Sequence, residues 1–138
     1  MRRTRVLLLL TGALCLLTAI SAINLTRPVR AQQPQHTEVK IDPKLFDQYV
    51  GRYSFVDDPE FMLNFWREGE KFFMQPTNQN RIEIFPESET KFFLRVIEAQ
   101  ATFVRDAQGK VTGLVWRQNG MDNQAKKVSD QPAIEKFV

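Results

Sequence analysis

Beyond its first 31 residues the sequence has no cysteine and only one histidine, His36; the single cysteine, Cys15, lies in an N-terminal apolar stretch. A domain so composed has no disulfide to hold it, no thiol nucleophile and no structural zinc centre of the Cys/His kind. Amphipathic helices are missing as well, since from Tyr53 to Val128 no long segment keeps the apolar spacing of i, i+3, i+4. Charge is missing from residues 6–26, directly after Arg2, Arg3 and Arg5. That order, basic then apolar, is the pattern of a secretory signal.

The expected signal peptide is 1–31, with cleavage after Ala31 ahead of the polar Gln32-Gln33-Pro34-Gln35; Ala22 marks an earlier alternative. Retained instead, residues 6–26 are long enough for a bilayer core of about 30 Å. Only in that case is a membrane expected as a partner. Leu14 stands where a lipoprotein signal needs a small residue before Cys15, so lipidation is not expected. The rest of the chain is expected outside the cytoplasm, periplasmic or extracellular.

The leader also owns the positive charge. Five of the 19 Lys and Arg residues lie within 1–31, so the remainder has 14 basic against 16 acidic side chains. Nucleic acid is therefore not an expected partner, because phosphate binding rests on a clustered basic surface.

What the mature part does have is aromatic mass. All 11 Phe, both Trp and both Tyr follow residue 31. Each ring can bury about 150–250 Å², which suffices for a core without a disulfide. These rings fall in short apolar runs separated by turns of Asp, Glu, Asn, Gly or Pro. The expected fold is all-β, a small eight-stranded antiparallel up-and-down barrel preceded by a short helix. Residues 32–41 read as a flexible linker, 42–128 as the barrel domain and 129–138 as a C-terminal tail in which Ile134, Phe137 and Val138 are the groups available for docking.

The helix is expected over 44–50, with Asp42 as N-cap, Pro43 at its first position and Gly51 as C-cap. Strands are expected at 52–56, 61–67, 71–75, 81–85, 91–96, 101–105, 110–118 and 121–128. The fifth places Phe92, Leu94 and Val96 on one inward face. Asn119-Gly120 is the strongest hairpin signal in the chain.

Few residues offer chemistry. Asp57, Asp58 and Glu60 could gather a cation, but Pro59 interrupts them and no glycine-centred ligand loop follows; a solvated turn is the expectation. Glu87 and Glu89 read as wet turn residues, and His36 as a lone linker histidine. Lys126 and Lys127 read as guards of an exposed strand. No catalytic residue, metal ligand or cofactor is assigned, and the binding residues are unknown. Phe72-Phe73 and Phe92-Phe93 are more informative, because neighbours in a strand face opposite ways and one ring of each pair must point out of the barrel. Such rings could serve a protein partner or self-association, or lie buried under the helix or the tail. A second reading is a binder of small apolar ligands at the barrel mouth, with Tyr53, Trp66 or Trp116 as stacking groups.

The residues Tyr49-Val50-Gly51-Arg52-Tyr53, then Phe85-Pro86-Glu87-Ser88-Glu89-Thr90-Lys91-Phe92-Phe93-Leu94, then Phe103, Asp106, Gly109 to Leu114, Gln118-Asn119-Gly120 and Lys127 resemble a bacterial domain. It is the lipocalin-like domain of unassigned function found at the C-terminus of serine hydrolases of the beta-lactamase and penicillin-binding type. The resemblance covers about residues 40–128. It implies an accessory role beside a hydrolase domain that carries the nucleophile, and the expectation here is a stand-alone exported copy without that domain. Ser88-Glu89-Thr90-Lys91 fits the Ser-x-x-Lys pattern of those hydrolases. In a turn leading into a strand, however, that spacing does not put Ser88 and Lys91 on one face. The chain is therefore expected to be non-enzymatic, an exported interaction module.

Overall fold

A computed structural model describes residues 35–133. The signal peptide read over 1–31 and the tail residues Ile134, Phe137 and Val138 lie outside the described residues. A 3-10 segment, Pro43–Gln48, precedes eight strands. These are β1 (Gly51–Phe55), β2 (Met62–Glu68), β3 (Lys71–Pro76), β4 (Ile82–Pro86), β5 (Lys91–Leu94), β6 (Ala99–Arg105), β7 (Val111–Gln118) and β8 (Met121–Ser129). Each pairs antiparallel with the next, and β8 returns to β1 to close an eight-stranded barrel. Every expected strand is present, with ends within two residues of the expected ones.

Alternation sorts the side chains. In β2, Leu63 and Phe65 enter the interior, while Asn64 and Trp66 face outward. In β3 and β5, Phe72 and Phe92 go in, while Phe73 and Phe93 go out. The interior is packed ring against ring. Phe103 lies stacked on Tyr49 at 4.1 Å between centroids and makes edge contacts with Phe65 at 5.1 Å, Tyr53 at 5.6 Å and Phe92 at 5.8 Å. Such pairs add about 0.5–1.5 kcal/mol each beyond the area they bury.

Antiparallel pairing in sequence order gives the barrel two distinct ends. The turns β2–β3, β4–β5 and β6–β7 share one end with the 3-10 segment, whose Phe46 plugs the interior against Phe72 at 4.6 Å and Phe92 at 5.1 Å. Side chains fasten the plug from around the rim. Arg67 of β2 forks onto Asp47, Arg105 of β6 reaches Gln48, and Lys127 of β8 donates to the Gln48 carbonyl at 3.1 Å. The Arg67 guanidinium holds the Asp47 carboxyl below the usual carboxylate range, chiefly by its hydrogen bond. The other end carries the turns β1–β2, β3–β4, β5–β6 and β7–β8.

Four local expectations are corrected. The helix is a 3-10 segment and stops at Gln48; Asp42 does cap it, its carboxylate accepting from the Lys44 amide at 2.9 Å. Six residues seated on the end of a barrel close two turns without room for a longer ladder. Gly51 is no C-cap but opens β1 at φ +139°, where a Cβ would stand 2.1 Å from the Ser129 carbonyl oxygen. Only glycine lets β1 and β8 approach so closely there. Strand β5 stops at Leu94 because its register with β6, Phe93 opposite Gln100, makes 95–98 the turn; Val96, expected inside, is 70% exposed. Lys127 guards no edge, since β8 is paired on both sides, and its ammonium is spent on Gln48 and on Asp130 at 2.7 Å.

Candidate functional site

On the outside of the barrel the outward members of the aromatic pairs are nearly covered. Trp66 stacks on Phe73 at 5.8 Å, with the Arg81 guanidinium 4.8 Å from the Phe73 centroid. Phe93 is sandwiched between His36, stacked at 4.9 Å, and Phe85 at 5.8 Å, and Arg95 lies 3.6 Å over the Phe85 ring. Both outward rings are buried, but among the described residues their cover is neighbouring side chains and His36 rather than the helix or the tail.

The cover over Phe93 comes from residues 36–41, which the sequence reads as the end of a flexible lead-in. His36 Nδ1 lies 3.2 Å from Glu87 Oε1 and 2.8 Å from Gln100 Nε2, and that amide also donates to Glu87 Oε2 at 3.2 Å. Glu38 pairs with Arg95, and the Val39 amide donates to the Pro86 carbonyl at 2.9 Å. The strap thus crosses β4 and β5 from the turns β5–β6 and β7–β8 toward the plugged end. Clefts border it. One of about 300 Å³ lies between it and strands β3 and β4 and is lined by Val39, Lys40, Ile41, Glu70, Glu83 and Phe85 among others. Two of about 270 and 260 Å³ flank His36, one toward Gln100, Arg117 and Asn119, the other toward Arg95, Val96 and Ile97. The His36, Glu87 and Gln100 group escapes sequence reasoning because its members are 51 and 64 residues apart. No apolar run marks the strap.

The residues singled out for chemistry are tied into turns. The Ser88 hydroxyl accepts from the amides of Thr90 at 3.3 Å and Lys91 at 3.1 Å, a local turn motif. The Lys91 ammonium points instead at Glu87, 4.0 Å away. Among the described residues no base is bonded to Ser88. Glu89 contributes its backbone carbonyl, which accepts from the Tyr49 hydroxyl at 2.8 Å. Asp57, Asp58 and Glu60 sit in the β1–β2 turn, and among the described residues no group of three or more His, Cys, Asp or Glu gathers around a common point.

The three candidate stacking groups do not meet. Tyr53 is sealed in the core with its hydroxyl on the Tyr49 carbonyl at 2.9 Å, and burial drives its pKa far above that of an ordinary phenol. Trp116 faces inward, its indole N–H reaching Gln118 at 3.1 Å. Trp66 faces outward, bonded to Glu68 at 3.1 Å.

Comparison with known proteins adds a family and a relative. Residues 35–131 match the family described as "Domain of unknown function (DUF3471)". Over 63 residues the chain is 35% identical to penicillin-binding protein 4* of Bacillus subtilis (strain 168), a stretch that is 46% of this chain and 14% of that protein. The chain thus spans only a small part of the relative's length.

Proposed function

The chain belongs to the DUF3471 family of domains of unknown function, and from that premise we propose that it is an exported, non-catalytic module that acts by protein contact beside a serine hydrolase of the penicillin-binding type. The observation that carries the reading is the filled interior, in which Phe46, Tyr49, Tyr53, Phe65 and Phe92 are fully buried around Phe103. A barrel so packed offers partners its surface and turns. The kinship with a segment of a penicillin-binding protein supports the class of partner. The bonds that hold Ser88 and Lys91 in their turn support a structural role for the Ser-x-x-Lys match. Export is supported by the basic and apolar order of the leader.

Two measurements test this. The exported chain, incubated with acyl esters and a chromogenic β-lactam, is expected to show neither turnover nor a covalent adduct by mass spectrometry; an adduct that Ser88→Ala abolishes would overturn the non-catalytic role. Cross-linking in the native cell followed by labelling with a fluorescent penicillin is expected to give a labelled product containing this chain. Labelled hydrolases that never cross-link to it would remove the proposed partner.

A further inference from the structure

One block on the outside of the barrel is as dry as the core. On β2 and β3 the outward side chains pair in register, Asn64 opposite Gln75 and Trp66 opposite Phe73, and their exposures are 6%, 3%, 5% and 7%. By contrast, the outward Asp122, Gln124 and Lys126 of β8, Thr112 and Arg117 of β7 and Val104 of β6 are exposed. An outward position on an antiparallel barrel faces water unless another layer lies over it. Among the described residues the ring, cation and hydrogen-bond partners of the two rings stand beside them: Trp66 has Phe73 and Glu68, and Phe73 has Arg81 as well. Side chains of the same sheet cover the flanks of a ring, and its outer edge needs a lid.

The chain itself supplies the start of that lid. Strand β8 ends at Ser129, opposite Arg52 of β1, where the Ser129 hydroxyl accepts from the Gln131 amide at 3.0 Å. The Ala133 amide then donates to Asn64 Oδ1 at 3.0 Å. Between those two bonds the chain crosses the outside of β1, where Arg52 has its Nε buried, and arrives at one corner of the block. The Asn64 amide donates to the Gln75 carbonyl at 3.3 Å, so one end of this side chain ties β2 to β3 and the other holds the crossing chain. Ile134-Glu135-Lys136-Phe137-Val138 come next. Ile134, Phe137 and Val138 fall at i, i+3 and i+4, a spacing that puts all three on one face of a helical turn and leaves Glu135 and Lys136 facing away. From Asn64 the Trp66 position is about 7 Å along β2, and Phe73 is about 5 Å further across. Residues 134–138 span about 7.5 Å as helix and about 17 Å extended, so with their side chains they reach both rings.

We propose that residues 134–138 are the lid of this face, closing over Trp66 and Phe73 of the same copy of the chain. They do for these two rings what the His36 strap does for Phe93. While the segment is seated, the β2–β3 face is withheld from any partner; its displacement frees an apolar surface built of Trp66 and Phe73. The lid goes beyond the interaction-module reading and does not depend on it.

Nuclear magnetic resonance of the full chain tests the lid without any substitution. Nuclear Overhauser contacts are expected from the Trp66 indole and the Phe73 ring to the methyl groups of Ile134 and Val138. In a mixture of differently labelled copies these contacts are expected within one copy and not between copies. Their absence, or their presence only between copies, overturns the lid. Phe137→Asp is expected to raise acrylamide quenching of the tryptophan emission several-fold and shift that emission to the red, with the β-sheet circular dichroism kept. Glu135→Ala, on the outer side of the same turn, is expected to leave quenching unchanged. Quenching of Phe137→Asp equal to that of the native chain also overturns the lid. None of these results bears on the hydrolase partner, which stands or falls on the penicillin-labelled cross-link.

Discussion

The Tyr53 hydroxyl donates to the backbone carbonyl of Tyr49, 2.9 Å away and wholly buried. This bond ties the first strand to the chain leaving the plug, at the turn where Gly51 passes close to β8. Tyr49 extends the chain of contacts, donating its own hydroxyl to the Glu89 carbonyl and accepting from Arg105 at 2.8 Å. Tyr53→Phe keeps the ring and deletes the donor, leaving a buried carbonyl short of a partner. The expected loss is about 1–2 kcal/mol, read from urea denaturation as a lower midpoint at unchanged slope.

The same tyrosine makes stability fall at alkaline pH. Burial is the main cause that raises the phenols of Tyr53 and Tyr49 above the ordinary value of 10.0. A folded-state value above the unfolded one means stability is intact below the unfolded value and declines as pH rises from there toward the folded value, because over that window only the unfolded chain releases the proton. With two tyrosines in the chain, at least half of the tyrosinate absorbance is expected to appear together with loss of the β-sheet circular dichroism. Complete ionisation of both in an intact barrel would contradict this.

Phe103 holds the centre of the ring cluster through contacts with Tyr49, Tyr53, Phe65 and Phe92. Phe103→Ala opens a cavity bounded by stiff rings, and such truncations cost about 3–5 kcal/mol. Thermal unfolding followed by circular dichroism reads the loss. A shift no larger than that of Val104→Ala, on the exposed face of the same strand, would mean the rings do not form one core.

Gly51→Ala is expected to destabilise although it adds one methyl group. Its Cβ would fall 2.1 Å from the Ser129 carbonyl oxygen at a φ of +139°, so β8 must retreat from β1. Gly120, at φ +77° but with nothing within 4 Å of an added Cβ, is the control: Gly120→Ala meets backbone strain alone. The expected order of melting temperatures is native, then Gly120→Ala, then Gly51→Ala.

The fold was legible in the sequence because each strand announces itself twice, by alternation within it and by turn residues at its ends. The misplacements share a cause. Val96 continues the alternation of Phe92 and Leu94, and only the register against Gln100 shows that the strand has already turned. Lys127 looks like any exposed lysine until the plug arrives beside it. The outer surface was the least legible part, because Phe93 needs a cover and that cover, His36 with Glu87 and Gln100, is assembled from three distant places.

A barrel filled by its own rings has no room for an apolar ligand inside. Titration of the chain with long-chain fatty acids and with a fluorescent apolar probe, following the emission of Trp116 in a Trp66→Phe background, reads this. No saturable change in emission and no rise in melting temperature with ligand are expected. Stoichiometric, saturable quenching of Trp116 with a ligand-dependent rise in melting temperature would contradict it.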